Sequence, residues 1–152
     1  MPKAIRQPSV DIVQFIAFQL AADTMNWNEP IPQFETRYPN VLERCIITPF
    51  QKFNQRSLYQ GLAGKGAILF YLLIKNHPFQ NGNKRIAVTT LFVFLAMNDK
   101  WLRVDKTKLY NVALWVAESP PEAMTETVSY LEKFIKKNII NVEILTEDGL
   151  LR

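Results

Sequence analysis

Histidine and cysteine are almost missing from this chain: 152 residues contain one of each, His77 and Cys45. A single cysteine excludes an intramolecular disulfide, and in an apolar setting Cys45 reads as core packing rather than as a nucleophile. No apolar run approaches the roughly 20 residues that a membrane-spanning helix requires. The first residues, MPKAIRQPSVD, lack the apolar stretch of a signal peptide, so a cytoplasmic location is expected. A strong charge of one sign is also lacking, with 18 Lys plus Arg against 14 Asp plus Glu and a formal net charge of +4. That balance admits an anionic partner but gives no footprint for nucleic acid. Glycine is scarce, at 5 residues, while 48% of the chain is apolar. There is enough material for one hydrophobic core, and no internal repeat or low-complexity segment divides it.

Apolar spacing predicts helices nearly throughout, hence an all-α bundle. Ser9 is placed to cap a helix running to about residue 23, with Val13, Ile16, Ala17 and Leu20 on one stripe and Phe15 and Phe18 widening it. Pro30, Pro32, Pro39 and Pro49 interrupt residues 26–56, leaving room for a short helix around 41–47, and TPFQKF at 48–53 suits an extended flap. A helix is expected over 57–76 from Leu58, Leu62, Leu69, Leu72 and Leu73. Residues 86–97 are apolar almost all round, as befits a helix inside a bundle. Another helix covers 109–118, and SPPE at 119–122 predicts a stop followed by a capping box, with Ser119 as cap and Glu122 closing it. The following helix reaches about residue 137, with Met124, Val128, Leu131 and Ile135 inward and Lys133, Lys136 and Lys137 near its negative end. One domain over 1–137 is thus expected, with a tail at 138–152 that alternates only loosely.

Between the two most apolar helices lies HPFQNGNKR, residues 77–85. It feeds into a helix N-terminus, where backbone N–H groups have no intrahelical partner and the dipole favours an anion. Gly82 permits a positive-φ turn and close approach of a ligand to the backbone. Lys84 and Arg85 put cations where acids are usual, which points to a bound phosphate. His77, at the other rim, is placed to take a proton from an attacking hydroxyl. Phe79 alternates with polar neighbours and would anchor the loop in the core. By residue chemistry alone a second reading stays open, an ordinary Asn-Gly turn with a structural histidine.

The string resembles the motif of the Fic/Doc family: His, any, Phe, any, Asp or Glu, Gly or Ala, Asn, Gly or Lys, Arg. His77, Phe79, Gly82, Asn83, Lys84 and Arg85 match it in order and spacing, and the likeness is sharpest over 58–101. The resemblance implies a Fic/Doc-like helical bundle with a small extended or β-hairpin flap. It makes His77 the catalytic base and Gly82, Asn83, Lys84 and Arg85 the phosphate-binding residues, with Phe79 as loop anchor. Family members that transfer AMP carry glycine after the asparagine and a second arginine three residues past the first. Lys84 and Val88 stand there instead, as in the Doc (death-on-curing) branch of toxin-antitoxin pairs.

Similarity to that branch implies a kinase that passes the γ-phosphoryl group of ATP to a hydroxyl of an EF-Tu-like translation factor and inhibits growth. The cofactors implied are ATP and Mg²⁺, with Asn81 at the position of the family's acidic magnesium ligand. A neutral amide oxygen is a poorer partner for a hard cation than a carboxylate. Ile47, Thr48, Pro49, Phe50, Gln51, Lys52 and Phe53 would form a flap that docks the target's backbone by strand addition. The alternatives are a Fic-like AMP transferase and a catalytically inactive phosphate-binding module. Many relatives inhibit themselves through a Ser or Thr, three residues, Glu, then Gly or Asn. The chain has no such string, so an antitoxin acting in trans is the expected partner.

Overall fold

A computed structural model describes residues 4–24 and 32–142. The first helical stretch begins at Ser9, whose hydroxyl accepts the Ile12 N–H at 3.1 Å and so caps α1 (Val10–Ile12). The backbone continues through a π-helical segment, Val13–Phe18, into α2 (Gln19–Thr24). Of the expected inward stripe, Val13 is buried, but Leu20 is 41% exposed and Ala21 is buried in its place. A π turn takes up one extra residue, so every side chain beyond it arrives one position late. Phe15, expected to widen the stripe, is 69% exposed. The side chains of Ile16, Ala17 and Phe18 lie outside the described residues, as do residues 25–31 with Pro30.

The proline-rich stretch folds as short turns and one helix. A 3₁₀ turn at Phe34–Thr36 precedes α3 (Pro39–Ile47), where Pro39 sits in the first turn and needs no donor. The expected flap departs from the structure over its first half. Ile47 is the last residue of α3, and Thr48, Pro49 and Phe50 form a 3₁₀ turn, because Pro49 is tolerated at a helical start and Thr48 Oγ1 donates to Arg44 O at 2.7 Å. Only Gln51, Lys52 and Phe53 are extended. β1 (Lys52–Phe53) pairs antiparallel with β2 (Arg56–Ser57) through the two-residue turn Asn54-Gln55, both at positive φ as a type I′ hairpin requires. The hairpin takes Ser57 and Leu58 out of the helix expected to start there. Leu58 is exposed, and its N–H donates to Gln51 O at 3.0 Å.

The centre of the bundle is α4 (Gly61–Lys75) packed on α5 (Asn83–Met97). Residues 85–95 of α5 are all buried, as an apolar circumference demands. After β3 (Lys100–Leu102) comes α6 (Lys106–Glu118), capped by Asp105, which accepts the Lys108 N–H at 2.7 Å. The capping box expected at SPPE does not form. Ser119 ends α6 and its hydroxyl donates back to Val116 O at 2.6 Å, so it is spent on the helix behind it. A 3₁₀ turn, Pro121–Ala123, leads into α7 (Met124–Asn138). Leu131 and Ile135 are buried, while Lys133, Lys136 and Lys137 lie on the exposed side, Lys136 paired with Glu132 at 3.1 Å. The start of the tail is ordered: β4 (Ile139–Asn141) pairs antiparallel with β3, Leu102 opposite Ile139. Tail residues 143–152 lie outside the described residues.

The architecture is the all-α bundle with a small β flap that the sequence implies. No helix among the described residues is long and apolar enough to cross a membrane. Cys45 is fully buried on α3, and burial pushes its thiol up to about 12, so the reactive thiolate is suppressed. Close approach of α4 to its neighbours depends on Gly66. A β-carbon there would stand 3.2 Å from Leu91 Cδ1 and 3.4 Å from Ile135 Cδ1, where α4 meets both α5 and α7. Gly66→Val is therefore expected to destabilise the fold by about 1–3 kcal/mol through overpacking, read as a lower midpoint in chemical denaturation.

Candidate functional site

The loop between α4 and α5 is fastened at both ends. At the end of α4, Lys75 Nζ donates to Ser119 O at 2.5 Å, tying that end to the last turn of α6. His77 follows at φ 50, a left-handed conformation that a non-glycine residue rarely holds, and its side chain is exposed. Pro78 O accepts the Tyr38 N–H at 2.8 Å, which laces the loop to the residues before α3. Phe79 is 1% exposed and meets the Phe34 ring at 5.7 Å between centroids.

Asn83, the first residue of α5, organises the rest. Its Oδ1 accepts the Phe79 N–H and its Nδ2 donates to Phe79 O, both at 2.9 Å. Those bonds satisfy the backbone of a buried residue that has no helix or strand to pair with. The same Nδ2 lies 3.5 Å from His77 Nδ1, a long contact beside the ring. Gly82 caps α5 at φ 76, the positive-φ turn its place in the sequence suggests, and Ile86 N–H donates to Gly82 O. Asn81 Oδ1 accepts the Gly82 N–H at 2.9 Å.

The cations divide. Arg85 is 5% exposed and points across the bundle, its Nη2 donating to Ala21 O at 2.6 Å near the end of α2. Lys84 is half-buried on the first turn of α5, where no acidic residue accompanies it. Val88, one turn further, is fully buried. A phosphate at this helix end would meet the amides of the first turn, which have no acceptor within the helix, and the Lys84 charge. The Asn83 side chain is occupied by Phe79, so its own contribution to such a ligand would come through its backbone.

A divalent cation fits this donor set poorly. The loop offers one neutral amide oxygen, that of Asn81, which already accepts an N–H, and no group of three or more His, Cys, Asp or Glu that could hold a metal occurs among the described residues. The hairpin does not share the loop's end of the bundle at its base. Phe50 packs edge-on against Phe94 at 6.1 Å, and Phe94 lies about 16 Å along α5 from Asn83 at roughly 1.5 Å per residue. Lys65 clasps the hairpin's two feet. Its Nζ donates to Tyr59 O at 2.6 Å and lies 5.7 Å from the Phe50 ring; burial first, and the Lys52 charge second, hold its pKa below the usual lysine value. Lys65, Phe34, Arg37 and Tyr38 were not singled out by the sequence, since nothing in their spacing marks them.

Removing the Asn83 amide should loosen the loop without dissolving the bundle. Asn83→Ala removes two hydrogen bonds from the backbone of a buried residue, at an expected cost of about 1–3 kcal/mol. Hydrogen exchange at the Phe79 amide should accelerate in that variant by more than at the amides of α7, which report only the change in global stability.

The site and the fold around it coincide with a known family. A family model described as Fic/DOC family matches residues 9–95, more than half of the chain, from the Ser9 cap through α5. No curated protein and no solved structure matches significantly. With the motif loop between two core helices and a β-hairpin ahead of them, the chain belongs to the Fic/DOC family.

Proposed function

We propose that the protein is a Doc-like kinase that transfers the γ-phosphoryl group of ATP to a hydroxyl of an EF-Tu-like translation factor, and so arrests growth as the toxin of a toxin-antitoxin pair. The observation that carries this reading is the pair Lys84 and Val88. An ammonium stands on the first turn of α5 where AMP-transferring relatives have glycine, and its bulk would take room that the phosphates of an AMP donor need. The position of their second arginine is a valine turned into the core. The resulting site has charge for a terminal phosphate and lacks the second guanidinium of the AMP-transferring arrangement.

In this reaction the target hydroxyl oxygen attacks the γ-phosphorus, the bond to the β–γ bridging oxygen breaks, and ADP leaves. The hydroxyl proton passes to the imidazole of His77, exposed at the rim of the loop. Lys84 and the amides at the start of α5 hold the phosphates, and Phe79 and Asn83 keep those amides in position. No step is assigned to Mg²⁺, which the Asn81 loop does not ligate well by itself. The reading places the protein in the cytoplasm with its target, and its inhibition in an antitoxin supplied in trans.

Incubation with EF-Tu and ATP labelled at the α or the γ position tests the proposal. The γ label should become covalently attached to EF-Tu, and His77→Ala should abolish transfer and growth arrest with little change in melting temperature. Attachment of the α label would replace the kinase with an AMP transferase, and attachment of neither would leave a binding module. Asn81→Asp restores a carboxylate beside the phosphates and is expected to tighten Mg²⁺-ATP binding by roughly ten- to a hundredfold. Calorimetric titration of both proteins with and without EDTA reads that gain, and equal affinities in all four titrations would remove the metal from the site.

A further inference from the structure

We infer that Arg37 is an additional contact for the polyphosphate ligand of this site. This rests on the phosphate-binding reading above and names a residue for it outside the motif. Arg37 follows the 3₁₀ turn Phe34–Thr36 and stands one residue before Tyr38, whose N–H is bonded to Pro78 of the loop at 2.8 Å. Its guanidinium carbon lies 4.3 Å over the Phe34 ring, and that ring packs on Phe79 at 5.7 Å. Phe79 in turn is clasped by Asn83 at the first position of α5. The chain of contacts therefore runs from the Arg37 charge to the helix end where the phosphates are proposed to sit.

The state of the Arg37 side chain is what calls for a ligand. It is half-buried, its one hydrogen bond among the described residues is a long one from Nη1 to Phe34 O at 3.4 Å, and its Nε is buried without a hydrogen-bond partner among those residues. No carboxylate pairs with it among the described residues. A guanidinium so placed has lost part of its hydration without gaining an anion, an arrangement that costs free energy until one binds. Stacking on Phe34 leaves the edge of the planar group, with its forked donors, for bidentate contact with phosphate oxygens. Arg85 spends its Nη2 on Ala21 O at 2.6 Å, so Arg37 would add a guanidinium to the site from outside the motif.

Calorimetric titration of the full chain with inorganic pyrophosphate and with ATP, for wild type, Arg37→Met and Arg37→Lys, tests the assignment. Arg37→Met should weaken both ligands by about tenfold to a hundredfold, and Arg37→Lys by less, because charge without the fork is retained. Unchanged affinity in Arg37→Met would overturn the role of Arg37 and leave the phosphate loop standing. Failure of the wild type to bind either ligand would overturn both. Should Arg37→Met not fold, phenylglyoxal modification of the wild type, mapped by mass spectrometry, decides instead. Pyrophosphate should slow modification of Arg37 several-fold, and an unprotected Arg37 ends the proposal. Loss of transfer to EF-Tu with phosphate affinity intact would count against the kinase reading alone.

Discussion

At 2.9 Å on either side, the Asn83 amide closes both the N–H and the C=O of Phe79. Phe79 is buried, and its backbone lies in neither helix nor strand, so these two side-chain bonds keep the loop closed over the core. With them, the Phe79 ring can stay against Phe34, Gly82 can turn α5 in at a positive φ, and His77 is held at the rim. The same two bonds thus fix the core contact and the direction in which the helix end faces. A polar residue in the first turn of the most buried helix is here a structural fastener before it is anything else.

Around that fastener the bundle assigns each cation a different burden. Arg85 satisfies a backbone carbonyl at the end of α2, and Lys75 does the same for the end of α6. Lys75 thereby closes a helix C-terminus whose last carbonyls lack intrahelical partners. Lys65 grips the feet of a hairpin that, with two paired residues on each strand, would be marginal alone. Lys84 and Arg37 remain beside the loop. A modest net charge of +4 is therefore no guide to the site; placement of individual cations is.

Much of the fold was legible because its signals are short-ranged. Ser9 caps its helix, and the apolar circumference of residues 86–97 declares a central helix, each through chemistry within a few residues. The loop was legible for the same reason, since histidine, glycine, asparagine and two cations lie within nine residues. SPPE carried an equally local signal that failed, because Ser119 had two helices within reach and its hydroxyl bonded the one already formed. The hairpin's turn was missed because Asn-Gln is a weak signal for positive φ, and it formed with both residues there.

By itself, then, the sequence determined an all-α core, the position of the motif loop and the family to which the chain belongs. Periodicity, caps and a contiguous motif are properties of neighbouring residues, and they survive without knowledge of what packs where. Tertiary structure alone decided that Ala21 rather than Leu20 faces inward, that Arg85 spans the bundle to α2, and that the hairpin's base stands at the far end of α4 and α5 from the loop. It also brought Phe34, with Arg37 over its ring, against Phe79. These depend on the facing of segments many residues apart, which is set by how side chains fill the shared interior and leaves no periodic trace along the chain.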